Sequence, residues 1–176
     1  AHENELQHML ATAFACGLTA LLRYPRGRGF GVAMDPAPAA LPLGKGRLLS
    51  RGRDVNFLAI GNRVHPAVMA AQLLKALGID AGVADMRFVK PLDTDLVKEL
   101  VQAGPVITAE DNVLAGGFGS AVLEYLNASG ANARVLRLGI PDSYVEQGKP
   151  EELYSDVGLT PEKMAALAAD WLKSAK

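Results

Sequence analysis

The tetrapeptide Tyr24-Pro25-Arg26-Gly27 carries the residue best suited to hold an anion. Proline halts an extended segment, glycine lets the backbone turn, and Arg26 projects with a planar fork matched to phosphate or carboxylate oxygens. Arg28 follows two residues on. Spacing alone leaves open a structural arginine paired with a nearby carboxylate. Gly116-Gly117-Phe118-Gly119-Ser120 is a second place for an anion, because glycines ahead of a helix expose backbone N–H groups at the positive end of its dipole. The segment matches neither G-x-G-x-x-G nor the P-loop, and tight packing of helix on sheet accounts for it equally well. Just upstream, Thr108-Ala109-Glu110-Asp111-Asn112 sets two acids at the end of a strand, with no histidine nearby in sequence to complete acid–base equipment. A turn or interface role fits them better. Arg87-Phe88-Val89-Lys90-Pro91-Leu92-Asp93 has two cations beside a rigid turn and reads as a packing corner. His65 and Cys16 lack visible partners and read as structural. No Ser-His-Asp set, metal motif or complete nucleotide fingerprint can be assembled.

The elements that must position these residues follow from periodicity. Leu6, Met9, Leu10 and Ala13 recur at helical spacing, predicting a helix over 3–15 stopped at Gly17. The apolar run 18–24 reads as a strand ended by Pro25. From Asp35 to Gly46 repeated proline favours extended chain, so 35–46 is expected to be a linker. Beyond it the chain alternates. Strands are expected at 55–60, within 81–89, at 105–109 and at 134–140. Between them, helices are expected over 66–77, from the Asp93 cap to Gly104, and from Gly116–Ser120 through Leu126. A last helix starts at Thr160-Pro161 and buries Met164, Leu167, Ala168, Trp171 and Leu172. Apolar strands separated by amphipathic helices imply an α/β fold with a mostly parallel sheet and helices on both faces.

A chain of 176 residues, 49% hydrophobic and 21% charged, can bury one sizeable core and is too short for a large multidomain enzyme. Eighteen basic against nineteen acidic residues leave a net charge of −1, which argues against a nucleic-acid backbone or an anionic membrane as partner. One cysteine cannot close an intrachain disulfide, which suits a reducing, cytoplasmic setting. No apolar stretch approaches the roughly 18 residues of a membrane span.

Taken together and in order, five segments become specific. They are Glu3-Asn4-Glu5, Arg23-Tyr24-Pro25-Arg26-Gly27, Met86 to Asp93, Glu110-Asp111-Asn112 with Gly116 to Ser120, and Leu138-Gly139-Ile140-Pro141-Asp142. In this order and spacing the chain resembles, over nearly its whole length, the 1-deoxy-D-xylulose-5-phosphate synthase family within the transketolase-like, thiamine-diphosphate-dependent enzymes. The resemblance implies a transferase that decarboxylates pyruvate and joins the two-carbon unit to glyceraldehyde 3-phosphate, feeding isoprenoid, thiamine diphosphate and pyridoxal biosynthesis. It implies thiamine diphosphate and Mg²⁺ as cofactors of the parent enzyme, held by an N-terminal portion that precedes Ala1, and a homodimer partner. It divides the chain into 1–34, the end of a pyrimidine-binding domain; 35–46, a linker; and 47–176, a transketolase C-terminal domain. No catalytic, cofactor or metal residue is expected within the chain, which alone should be inactive. The second arginine of Arg-Tyr-Pro-Arg-Gly, Arg26, matches the family residue that binds the acceptor's phosphate. Two departures stand out: His2 replaces the usual Asp, and residues 15–19 lack the usual Asp-Gly-Pro turn. A non-catalytic dimerisation or regulatory module, and one component of a two-polypeptide transketolase-like enzyme, are the alternatives.

Overall fold

The computed structural model describes residues 1–25 and 27–174. Helix α1 (Glu3–Ala15) leads into irregular chain, followed by strands and helices in the order β1 (Arg47–Ser50), β2 (Val55–Ala59), α2 (Val64–Ala76), β3 (Ala81–Asp85), α3 (Thr94–Ala103), β4 (Val106–Val113), α4 (Phe118–Ala128), β5 (Val135–Ile140), α5 (Pro150–Asp156) and α6 (Pro161–Lys173). The sheet order is β1-β3-β2-β4-β5. Strands β3, β2, β4 and β5 run parallel, and β1 pairs antiparallel with β3 at one edge.

The alternation of side chains along each strand decides which helix covers which face. Phe57, Val83, Ile107 and Leu138 turn to the side packed by α2 and α6, where Ala67, Leu74, Met164 and Ala168 are fully buried. Leu58, Ala84, Met86 and Val106 turn the other way, against Val97 and Leu100 of α3 and Phe118 and Val122 of α4. Two apolar layers, each burying side chains worth about 1.5–3 kcal/mol apiece, hold the α/β sandwich together. The expected fold class is present.

Several boundaries differ for physical reasons. Helix α2 starts two residues ahead of Pro66 because a 3₁₀ turn over Gly61–Arg63 feeds directly into it. Strand β4 runs four residues past Ala109, with an irregularity between Ala109 and Val113 that allows pairing with β5 to resume at Val113–Ile140. In α6 Leu167 is 45% exposed, and Ala165 and Ala169 take up the buried stripe instead. The run 18–24 is not a strand: Leu18 and Leu21 are 71% and 93% exposed, and no neighbouring strand pairs with the segment. An apolar run without a partner for its N–H and C=O groups cannot form a ladder. Strand β1 and helix α5 were not expected.

The stretch 35–46 forms neither helix nor strand, bends at 36–37 and turns at 43–44, where Lys45 N–H donates to Pro42 O, and it does not hang free. One face of α1 laces it down. Asn4 Oδ1 accepts from the Asp35 N–H at 2.8 Å, His8 Nδ1 from Ala39 N–H at 2.9 Å, and Thr12 Oγ1 from Leu41 N–H at 2.8 Å. At its far end Asp93 accepts from Gly46 N–H at 2.9 Å while capping α3 through Leu96 N–H.

Candidate functional site at the carboxyl edge of the sheet

Ligands of open α/β sheets collect outside the carboxyl ends of the parallel strands. Three polar clusters lie there, one at the end of each of β3, β4 and the β2–β4 junction.

The first joins α1 to β3. Arg87, two residues past the end of β3, has a φ of 56°. That left-handed conformation is uncommon for a residue with a Cβ and marks a position the surroundings must enforce. It turns the side chain so that Nε–H donates to Glu5 Oε1 at 2.8 Å, with both side chains nearly buried. Asp85 completes the group: its Oδ1 accepts from Arg87 N–H at 3.2 Å, and its Oδ2 is buried without a hydrogen-bond partner. Burial raises the Glu5 carboxyl, but the α-amino group of Ala1, 2.6 Å away, and Arg87 outweigh it and bring it down to about 2. For Asp85 burial and the neighbouring Glu5 carboxylate act together and push it up to about 7. A pair of carboxyls that cannot both ionise easily therefore sits beside one guanidinium.

His2 starts this arrangement. It is extended, with φ −147°, and its Nδ1 accepts from Glu5 N–H at 3.2 Å, so an imidazole performs the capping usually done by an Asp side chain. Only the neutral ring can accept there. Burial and the Ala1 amino group lower its pKa, which favours that form.

The second cluster fills the glycine-rich opening of α4. Glu110, buried at the end of the regular part of β4, accepts from Phe118 N–H at 2.7 Å and Gly119 N–H at 2.8 Å. Burial raises its carboxyl while those two N–H groups and Arg137 oppose the shift. The glycines are required by closeness: a Cβ on Gly117 would stand 2.2 Å from Glu110 Oε2 and 2.4 Å from Val113 O. The anion cradle anticipated at Gly116–Ser120 is thus occupied by a side chain of the same chain, which also gives Glu110 a structural role. Glu110 lies within β4 and not in a turn.

The third cluster spans β2 and β4. Asn62, just beyond β2, donates to Asp111 Oδ2 at 3.0 Å and to the Tyr154 hydroxyl at 2.9 Å; Tyr154 donates to Asp111 Oδ2 at 2.9 Å. Arg63 lies over the Tyr154 ring, 3.7 Å from its centroid.

Of the residues singled out in the sequence, Arg26 lies outside the described residues. The chain after it, Gly29 to Val32, wraps the Glu3 carboxylate, which accepts from Phe30 N–H and Val32 N–H at 3.0 Å each and from Gly31 N–H. Phe30 then rests on His65 at the start of α2, with ring centroids 4.9 Å apart. Residues 30–32 are therefore held between α1 and the start of α2. Cys16 closes α1, its thiol directed to Ala13 O. The Glu5–Arg87 pair, separated by 82 positions, had no sequence signal beyond the two motifs that contain its members.

A thiamine diphosphate–Mg²⁺ unit does not fit these residues. Among the described residues no three His, Cys, Asp or Glu side chains come together to hold a metal, and the one glycine-opened helix end is filled by Glu110. Among the described residues no helix is long and apolar enough to cross a membrane.

This sheet order, with parallel strands covered by helices, defines an α/β domain of the transketolase type. The family model "Transketolase, C-terminal domain" matches residues 44–164, and the chain belongs to that family. Over 97% of its length it is 50% identical to 1-deoxy-D-xylulose-5-phosphate synthase 1 of Geobacter metallireducens, of which it spans 28%. It is 48% identical over 96% of its length to 1-deoxy-D-xylulose-5-phosphate synthase of Heliobacterium modesticaldum, of which it spans 26%. The chain thus covers about a quarter of the length of these relatives. Among solved structures it is similar to a split gene transketolase described as an inactive beta4 tetramer, with a TM-score of 0.70 and 36% identity over 76% of this chain and 44% of that one. A transketolase mutant from Pichia stipitis, with a TM-score of 0.56 and 23% identity over 74% of this chain and 18% of that one, shares the fold.

Proposed function

We propose that this chain is the C-terminal portion of a 1-deoxy-D-xylulose-5-phosphate synthase, an enzyme that condenses pyruvate with glyceraldehyde 3-phosphate and releases CO₂. The observation that carries this is 50% identity extending over 97% of the chain, including α1 and the stretch 18–43 that precede the matched transketolase domain. Residues 1–34 are read as the end of a pyrimidine-binding domain. The unpaired apolar run 18–24 supports this, because it has the composition of a strand and lacks only a neighbouring strand. Thiamine diphosphate and Mg²⁺ are assigned to polypeptide other than residues 1–176, and the homodimer contacts are shared with it. The cofactor supplies the carbanion chemistry. This chain supplies acceptor recognition through Arg26.

The test is CO₂ release from pyruvate by the enzyme that includes this chain, measured with and without glyceraldehyde 3-phosphate. Release stimulated by the acceptor supports the assignment. Two-carbon transfer from a ketose phosphate, with pyruvate untouched, contradicts it. The likeness to a split gene transketolase favours a second reading, one component of a two-polypeptide enzyme. That reading requires activity to appear on mixing this chain with a separate cofactor-binding polypeptide.

A further inference from the structure

The crossover leaving β2 passes through α2 to β3 on one side, while β4 flanks β2 on the other. The carboxyl ends of β2 and β4 therefore bound the point where connections diverge, the place at which open α/β sheets form a ligand crevice. Asn62 and Asp111 face each other across it.

Beside this pair lies a cavity of about 240 Å³, with Asp111 and Tyr154 at its polar side and Ile140, Val145, Leu153 and Val157 among its apolar walls. The polar side is set before any ligand arrives. Asn62 and Tyr154 both donate to Asp111 Oδ2, and the Arg63 guanidinium holds the Tyr154 ring from one face. Arg63 is itself fixed by donating to Leu159 O at 2.9 Å and Asn62 Oδ1 at 3.2 Å.

The unused hydrogen-bonding capacity specifies the ligand. Asp111 Oδ1 takes no hydrogen bond from the described residues, and the Tyr154 oxygen, which donates once and accepts once, keeps one lone pair. Both are acceptors. A carboxylate or phosphate would meet them with repulsion, whereas an ammonium group satisfies both. The cavity holds about eight waters' volume at roughly 30 Å³ each, below the range of roughly 300–1,000 Å³ for drug-sized ligands.

We propose that this switch-point cavity binds a small primary ammonium ion carrying a compact aliphatic body. Its nitrogen donates to Asp111 Oδ1 and its carbons pack on Val145, Leu153 and Val157. The proposal is independent of the reaction assigned above.

The experiment is a two-dimensional NMR titration of the 176-residue chain with isoamylammonium chloride and, separately, with sodium isovalerate, which has the same five-carbon skeleton and the opposite charge. Saturable shifts confined to residues around Asp111, Leu153 and Tyr154 with the ammonium ion, and none with the carboxylate, are expected. Asp111→Asn keeps an acceptor for Asn62 and Tyr154 and should weaken binding about ten-fold, because a charge-assisted bond becomes a neutral one. Tyr154→Phe should weaken it several-fold. Equal binding of both probes, no saturation, shifts spread over exposed acids such as Glu151 and Glu162, or undiminished binding by Asp111→Asn would each overturn the proposal.

Discussion

Glu110 accepts the backbone N–H of Phe118 at 2.7 Å, placing a carboxylate from β4 on the amino end of α4. With Gly119 N–H at 2.8 Å, two of the four donors that a helix leaves unpaired at its start are satisfied internally. Glu110→Ala strands both in a buried site and should lower stability by about 2–4 kcal/mol in urea denaturation. Glu110→Gln keeps one acceptor and should cost less. Gly117→Ala should also destabilise, since its Cβ would press into that same carboxylate and Val113 O. Wild-type stability in Glu110→Ala would contradict the account.

The Asp85 carboxyl gives the chain a pH dependence of definite sign. Its ordinary value is 3.8, and burial with Glu5 alongside pushes it up to about 7 in the fold. Between about pH 4 and 7 the unfolded chain has released this proton while the folded chain keeps it, so stability falls as pH rises. Glu5, brought from 4.5 down to about 2, acts at lower pH, and its contribution is lost as pH falls through that range. Asp85→Asn retains a neutral side chain that can still accept from Arg87 N–H. Its stability should decline less than wild type from pH 5 to 8, by on the order of 1 kcal/mol or more. The difference between the two chains cancels the contribution of His2, which titrates nearby. Parallel pH profiles would remove Asp85 as the cause.

Phe14, Leu18 and Leu21 are 88%, 71% and 93% exposed, three large apolar side chains close together in sequence. The isolated chain should self-associate through them. Sedimentation of Phe14→Ser combined with Leu21→Lys should give a lower average mass than wild type at equal concentration. A wild-type chain that stays monomeric up to high concentration would show that these side chains need no cover.

Arg26→Ala, made in the enzyme that contains this chain, should raise KM for glyceraldehyde 3-phosphate about ten-fold or more. Pyruvate decarboxylation should be less affected, because the lost fork holds the acceptor's phosphate. Equal loss in both half-reactions would place Arg26 elsewhere.

Elements with strong local signals were legible in the sequence. Asp93 and Thr160 cap α3 and α6 as their side-chain chemistry requires, and the apolar spacing of Val97 and Leu100 named a buried face. Strand β1 was not legible, because Arg47–Ser50 is a four-residue edge, largely exposed, with no alternation to read. Helix α5 buries none of its residues and has no side-chain cap, so only Pro150 at its first position and the acids Glu151 and Glu152 mark it, with no periodicity beside them. The run 18–24 has the composition of a strand, but no strand of the sheet pairs with it, so its backbone forms no ladder. At the site, glycines before a helix leave open an anion or close packing, and the structure shows them packed closely around an internal carboxylate. Its identity as Glu110 depends on the fold of β4 back against α4. The Arg87–Glu5 pair was hidden for the same reason, since only the docking of α1 on the end of β3 brings the two together.

The assignment of this chain to a pyruvate-using synthase is tested most directly by following carbon. The enzyme that includes residues 1–176 is incubated with pyruvate labelled with ¹³C at its carbonyl and methyl carbons, together with unlabelled glyceraldehyde 3-phosphate. The account predicts unlabelled CO₂ and a five-carbon 1-deoxyketose phosphate in which the methyl and carbonyl carbons are both labelled and mutually coupled in the ¹³C spectrum. Labelled pyruvate recovered intact, while the same enzyme transfers two carbons from a ketose phosphate, would contradict it.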